Sequence, residues 1–132
     1  MADLQDAVRT RLTAHAGTAA LIGTPGRAYF MMLPQDATYP ASVVQQISGP
    51  RIHAMGSDTD KWEGRVQVRA CAKTRAGAKA LAEQHRAALQ RYSGTSASTV
   101  VHDCYMVNEM DEYEPDTRVW AVRQDYMVWV TE

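Results

Sequence analysis

The spacing of apolar residues changes once, at Thr74, and that change limits what the chain can fold into. Across 62–73 (WEGRVQVRACAK), Trp62, Gly64, Val66, Val68, Ala70 and Ala72 alternate with Glu63, Arg65, Gln67, Arg69, Cys71 and Lys73, the period of two of a half-buried strand. From 74 to 92, Ala78, Leu81, Ala82, His85, Ala88, Leu89 and Tyr92 recur every three or four residues, opposite Arg75, Lys79, Glu83, Arg86 and Gln90. That spacing predicts an amphipathic helix of about five turns. Thr74 is its expected N-cap, and Gly94 lies just past its end. The small residues Ala70, Ala72, Ala78 and Ala82 leave room for the helix to lie close against the strand.

Upstream, Asp3 can cap a first helix with the stripe Leu4, Ala7, Val8 and Leu12, ended by Gly17, and Thr18 can cap a short second turn. A short strand is expected over 27–32, and Pro34 and Pro40 bracket a polar connection that cannot continue a ladder. The next strand, 41–48, puts Ala41, Val43, Gln45 and Ile47 on one face and Ser42, Val44, Gln46 and Ser48 on the other. Residues 49–61 (GPRIHAMGSDTDK) mix turn formers with charge and offer little to bury; they read as a long loop or arm protruding from the sheet. Downstream, SGTSAS reads as a flexible turn, 99–108 as a strand, 109–116 as an acidic hairpin connection and 118–130 as a final strand, bulky on both faces and so central or interface-forming. The order implies a single α+β domain over 1–132: a mostly antiparallel mixed sheet, one long helix packed on a face, and a short N-terminal helical region.

With 132 residues the chain suffices for one core, and its net charge of −1 provides no basic field for nucleic acid. No apolar run nears the ~20 residues of a membrane span, and the start lacks the basic and apolar blocks of a signal peptide, so a soluble cytosolic product is expected. Cys71 and Cys104 show no CxxC spacing and read as buried thiols. His53, His85 and His102 supply no second pair of ligands for zinc, and His85 falls on the apolar helix stripe. Glu109, Asp111, Glu112, Glu114 and Asp116 lack the spacing of a calcium loop and read as a solvated acidic run. Motifs for a serine nucleophile, a P-loop or a dinucleotide fold are missing. Arg65, Gln67, Arg69 and Lys73 form a polar strand face, read as solvated or partner-facing. No catalytic, cofactor or metal residue is therefore expected.

Three stretches carry a family resemblance: GRAYFMMLPQDATYPASVVQQISG, VQVRACAKTRAGAKALAEQHRAAL and YEPDTRVWAVRQDYMVWV. They are similar to the Arg-aromatic strand and Pro-Gln turn, the central strand and helix, and the terminal strand pair of the tail-completion or tail-terminator proteins of long-tailed bacteriophages and gene transfer agents. The resemblance runs from about Arg27 to the end. It implies a structural virion protein, not an enzyme and without a cofactor. Such a protein forms a homohexameric ring at the head-proximal end of the tail tube and stops tube polymerisation. It meets the major tail-tube protein on one side and a head-side connector or stopper on the other. DNA passes the lumen without sequence-specific contacts, and no membrane is involved. Other head-tail connectors and minor tail proteins have similar sizes. The expected interface residues are Arg51, Ile52, His53, Met55 and Lys61 in the arm and Arg65, Gln67 and Arg69 on the strand face. The arm is expected to be mobile in an isolated subunit and to order against a neighbour.

Overall fold

The computed structural model describes residues 3–23, 26–49, 51–54 and 57–131, with backbone alone at 51–54 and 57–60. Helices α1 (Leu4–Ala14) and α2 (Ala16–Ile22) lead into strands β1 (Ala28–Phe30), β2 (Ala41–Ser48), β3 (Arg51–Ala54) and β4 (Ser57–Ala72), helix α3 (Arg75–Leu89), and strands β5 (Gly94–Ser96), β6 (Thr99–Glu114) and β7 (Val119–Thr131). The strands form one sheet in the order β1-β2-β4-β7-β6-β5, and β3 pairs with β4 off this path. Only β1 and β2 run parallel; the other pairs are antiparallel. The fold is thus the expected α+β domain with a mostly antiparallel mixed sheet. None of the described helices is long and apolar enough to cross a membrane.

β4 carries the expected alternation: Trp62, Gly64, Val66, Val68, Ala70 and Ala72 are buried, with Arg65, Gln67 and Arg69 half-exposed between them. All three helices cover that apolar face. Leu4, Val8 and Leu12 of α1 join Val44, Trp62, Val66, Val68, Leu89 and Tyr126 in one cluster. Ile22 of α2 and Ala78, Leu81 and Ala82 of α3 pack with Ala70, Ala72 and Val122 in a second. The small residues at the α3–β4 contact do allow this close approach. A third, smaller cluster lies on the opposite face, where Val43, Cys71, Val119 and Ala121 meet Leu33 and Tyr39. Coverage on both sides explains why β2 alternates weakly: Ala41, Ser42, Val43 and Val44 are all buried.

Several boundaries differ from the sequence reading, each for a tertiary reason. α3 keeps Thr74 as its N-cap, the hydroxyl accepting from Gly77 N–H at 3.0 Å, but stops at Leu89 rather than reaching 92. Gln90 turns extended and Arg91 left-handed (φ 58°), which lets Arg91 N–H donate to the Cys104 carbonyl at 2.5 Å and ties the chain to β6. α1 ends at His15, whose ring also caps α2 by accepting from Thr18 N–H at 3.3 Å, so Gly17 lies inside α2 instead of ending α1. The 93–98 stretch, read as a flexible turn, contains β5, joined to β6 through Ala97 and Ser98 at φ 47° and 65°; positive φ at both central positions is the twist a two-residue hairpin needs. β1 is cut to three residues by the left-handed Met31 (φ 68°) and the bond from Met32 N–H to the Phe30 carbonyl.

Two corrections bear on function. The segment 49–61, read as a loop, holds a ladder: Arg51 pairs with Trp62, His53 with Asp58 and Ala54 with Ser57. Backbone hydrogen bonding needs no apolar side chains, so composition concealed a hairpin. The acidic run, read as a connection, lies mostly within β6, which pairs with β7 as far as Glu114 opposite Val119.

Candidate interaction surfaces

With the helices on one face, the other face of the sheet is left open over most of its length. β4 supplies Lys61, Arg65, Gln67 and Arg69 to it, with Lys73 just past its end, and β7 supplies Arg123, Asp125, Met127 and Trp129. Charges pair across the strands. Arg65 Nη2 lies 2.7 Å from Asp125 Oδ2, the carboxylate side chain being only 11% exposed, and Arg69 Nε lies 3.6 Å from Glu112 Oε1 on β6. Gln67 stands between Gln45 and Asp125 in register. Opposite charges so close in a partly wet surface fix the direction of side chains more than they stabilise the fold.

At one end of this face the 33–39 segment folds over the sheet and leaves a groove of about 840 Å³. Its floor is Leu33, Tyr39, Cys71, Val119 and Ala121, and Asp36, Arg69, Lys73, Glu112 and Glu114 stand at its rim. Lys73 Nζ sits 4.9 Å over the Tyr39 ring and donates to the Thr117 carbonyl at 3.0 Å. Burial pushes the Cys71 thiol above its ordinary pKa, so at neutral pH it is not a thiolate nucleophile. No histidine lines the groove to act as its base.

The other chemical candidates are dispersed. His85 lies in the core with Nε2 2.6 Å from Ser42 Oγ, and burial lowers its pKa to about 3. His102 bonds Thr131 Oγ1 at the sheet end. Cys104 is buried in the main core, its pKa pushed up to about 12 by desolvation and by Asp103. Among the described residues, no group of three or more His, Cys, Asp or Glu could hold a metal ion.

The expected interface residues separate into two groups along β4. Arg51, Ile52 and His53 lie in β3 of the hairpin, and Met55 is outside the described residues. Lys61 is exposed beside a hollow it shares with His102, Asp103 and Trp129. Arg65, Gln67 and Arg69 occupy the middle of the open face. The sequence reading missed the 33–39 groove and the outer edge of β6, whose Val107, Met110 and Tyr113 are exposed. The signal was present: these apolar residues are interleaved with the acidic ones, an unusual pattern for a solvated connection.

Residues 6–131 match the family described as Tail completion protein gp17. The chain belongs to the tail completion family. Its members are structural proteins of the tails of phage-like virions, so this protein is a virion component that associates with other virion proteins. Among solved structures, a chain from "Virion of native gene transfer agent (GTA) particle" is similar at 19% identity and a TM-score of 0.68. The match covers 98% of this chain and 95% of that one, a likeness of fold over the whole domain. No curated protein matches the sequence.

Proposed function

We propose that this protein is the tail terminator: a homohexameric ring that caps the head-proximal end of the tail tube, halts its polymerisation and presents a surface to the head-side connector or stopper. The carrying observation is the family match over nearly the whole domain. The sheet supports the reading, because one face is sealed by helices while the other displays paired charges beside a groove. Arg65, Gln67, Arg69 and Lys61 are the proposed contacts on that face. Arg51, Ile52, His53 and Met55 are the proposed contacts of the hairpin, which acts as the arm of the single 1–132 domain. A specific contact between copies buries on the order of 1,600 Å² in total, more than the hairpin alone provides, so the face contributes too. Assembly takes place in the cytoplasm of the producing cell. DNA crosses the lumen without sequence-specific contacts, and the role calls for no cofactor, metal or catalysis.

Electron microscopy of particles from a producing strain lacking this chain tests the role. The expected result is headless tails whose tubes run past the normal length. Tails of normal length that fail to join heads would assign the protein to the connector instead.

A further inference from the structure

Most of the sheet's edges are closed by the chain's own groups. On the β1 side, Arg9 Nε donates to the Ala28 carbonyl at 2.8 Å, Met32 N–H donates to the Phe30 carbonyl at 2.7 Å, and Gln5 Oε1 accepts from Gln46 N–H at 2.9 Å. On the β6 side, β5 covers residues 99–101 and is itself tied to α1 through Ser96 Oγ, which donates to the Ala7 carbonyl at 2.6 Å. Arg91 N–H occupies the Cys104 carbonyl, and Gln90 Oε1 accepts from Met106 N–H at 2.9 Å. Closing edges in this way prevents unwanted strand pairing.

One stretch is left. Past the irregularity between Met106 and Asn108, β6 runs to Glu114 with β7 as its only strand neighbour among the described residues. Backbone groups two residues apart on an antiparallel strand point the same way. Met106 N–H points outward, and the extra residue Val107 shifts the outward set to Glu109, Asp111 and Tyr113. The same stretch exposes Val107, Met110 and Tyr113 at 43%, 42% and 46%. Among the described residues β3 likewise has a single strand neighbour, β4.

We infer that β3 of one copy adds, antiparallel, to the open edge of β6 in the next copy, so that neighbouring sheets run on into one another. This rests on the ring reading and names the contact that builds it. The strand directions fit. β3 is antiparallel to β4, β4 to β7 and β7 to β6, so a copy placed edge to edge in the same sense brings β3 alongside β6 as an antiparallel pair. β4 and β7 lie between the two strands within one chain, so the contact forms only between chains. It is heterologous, the kind that closes into a ring. Charge selects this pairing over the alternative. The open stretch carries Glu109, Asp111, Glu112 and Glu114, of which Asp111 is bridged to Lys79 at 2.6 Å and Glu112 to Arg69 at 3.6 Å, whereas β3 carries Arg51 and His53. β6 meeting β6 across a twofold axis would set carboxylates opposite carboxylates.

Two experiments test the contact. His53→Cys and Asp111→Cys are made in separate chains, mixed at high concentration and mildly oxidised, with native mass spectrometry in parallel. The expected product is a cross-linked pair in the mixture and little in either variant alone. Cross-linking of Asp111→Cys with itself overturns the proposal in favour of a twofold β6 pairing. Rings without the mixed cross-link overturn the edge pairing while leaving the ring, and a strict monomer overturns both. Asp111→Pro removes an outward N–H together with the carboxylate, and Asp111→Ala removes the carboxylate and its bridge to Lys79 while keeping the N–H. The proline variant is expected to weaken assembly about tenfold or more relative to the alanine variant, with unfolding transitions of both confirming a folded chain. Equal effects of the two would show that charge alone acts there and would overturn strand addition.

Discussion

Gly64 lies where Leu4 of α1 packs tightly on the sheet: a Cβ there would lie 2.2 Å from Leu4 Cδ2 and 3.0 Å from the Trp62 ring. Leu4 and Trp62 are both buried in the main core, so neither can move aside cheaply. Gly64→Ala is therefore expected to destabilise the fold by about 1–3 kcal/mol through overpacking, read from urea unfolding; a change within a few tenths would show that the helix slides freely on the strand. His85 supplies a pH dependence. Its folded pKa of about 3 lies below the ordinary 6.5 because burial disfavours the imidazolium, so the unfolded chain takes up the proton first. The stability it contributes is whole above about pH 6.5 and is lost as the pH falls toward 3, at a slope of at most about 1.4 kcal/mol per pH unit. His85→Gln should be less stable at pH 7 yet show a flatter fall from pH 6.5 to 5. An unchanged slope in that variant would mean that His85 titrates normally.

Among the elements, α3 is fixed to the sheet by Leu81, which is fully buried. Leu81→Ala is expected to cost about 2–5 kcal/mol, and a loss below half a kilocalorie would place the wrong helix face inward. α3 and the core of β4 were legible in the sequence because each has a periodic apolar stripe packed against one neighbour. The β3–β4 hairpin and the second half of β6 were not. Their ladders are made by backbone groups, and β6 follows no burial alternation in that half, being exposed or half-exposed from Tyr105 onward. The end of α3 was hidden for a related reason, since Tyr92 continues the helical period while the bond from Arg91 to Cys104 breaks it. Among the expected contacts, Arg65, Gln67 and Arg69 were legible because alternation assigns them to one face. Their partners Asp125 and Glu112 lie far along the chain, and no local pattern joins them. Replacing the hairpin between Gly49 and Trp62 with a two-residue Asn-Gly turn should leave the melting temperature nearly unchanged, because within it Ser57 and Asp58 pair with β3 and Lys61 alone pairs with β7 among the described residues. The same variant should lose assembly. If it still caps tails at normal length, the hairpin has no part in the contact between copies.

On the scale of the whole molecule, the sheet is built on long central strands, with an arm at one end and a groove at the other. β4, at 16 residues, spans about 50 Å at ~3.3 Å per residue. β3 pairs with its first residues, and the groove lies beside Arg69, Cys71 and Lys73 near its last. The proposed ring subunit, placed between tube and connector, would use features so far apart on different neighbours. The direct measurement is the length of tail tubes polymerising in vitro from the matching tube protein, followed by electron microscopy with this chain gold-labelled and added at increasing concentration. The account predicts label at one end of each tube and growth arrested at that end. Tubes that lengthen unchanged, or carry label along their sides, would contradict it.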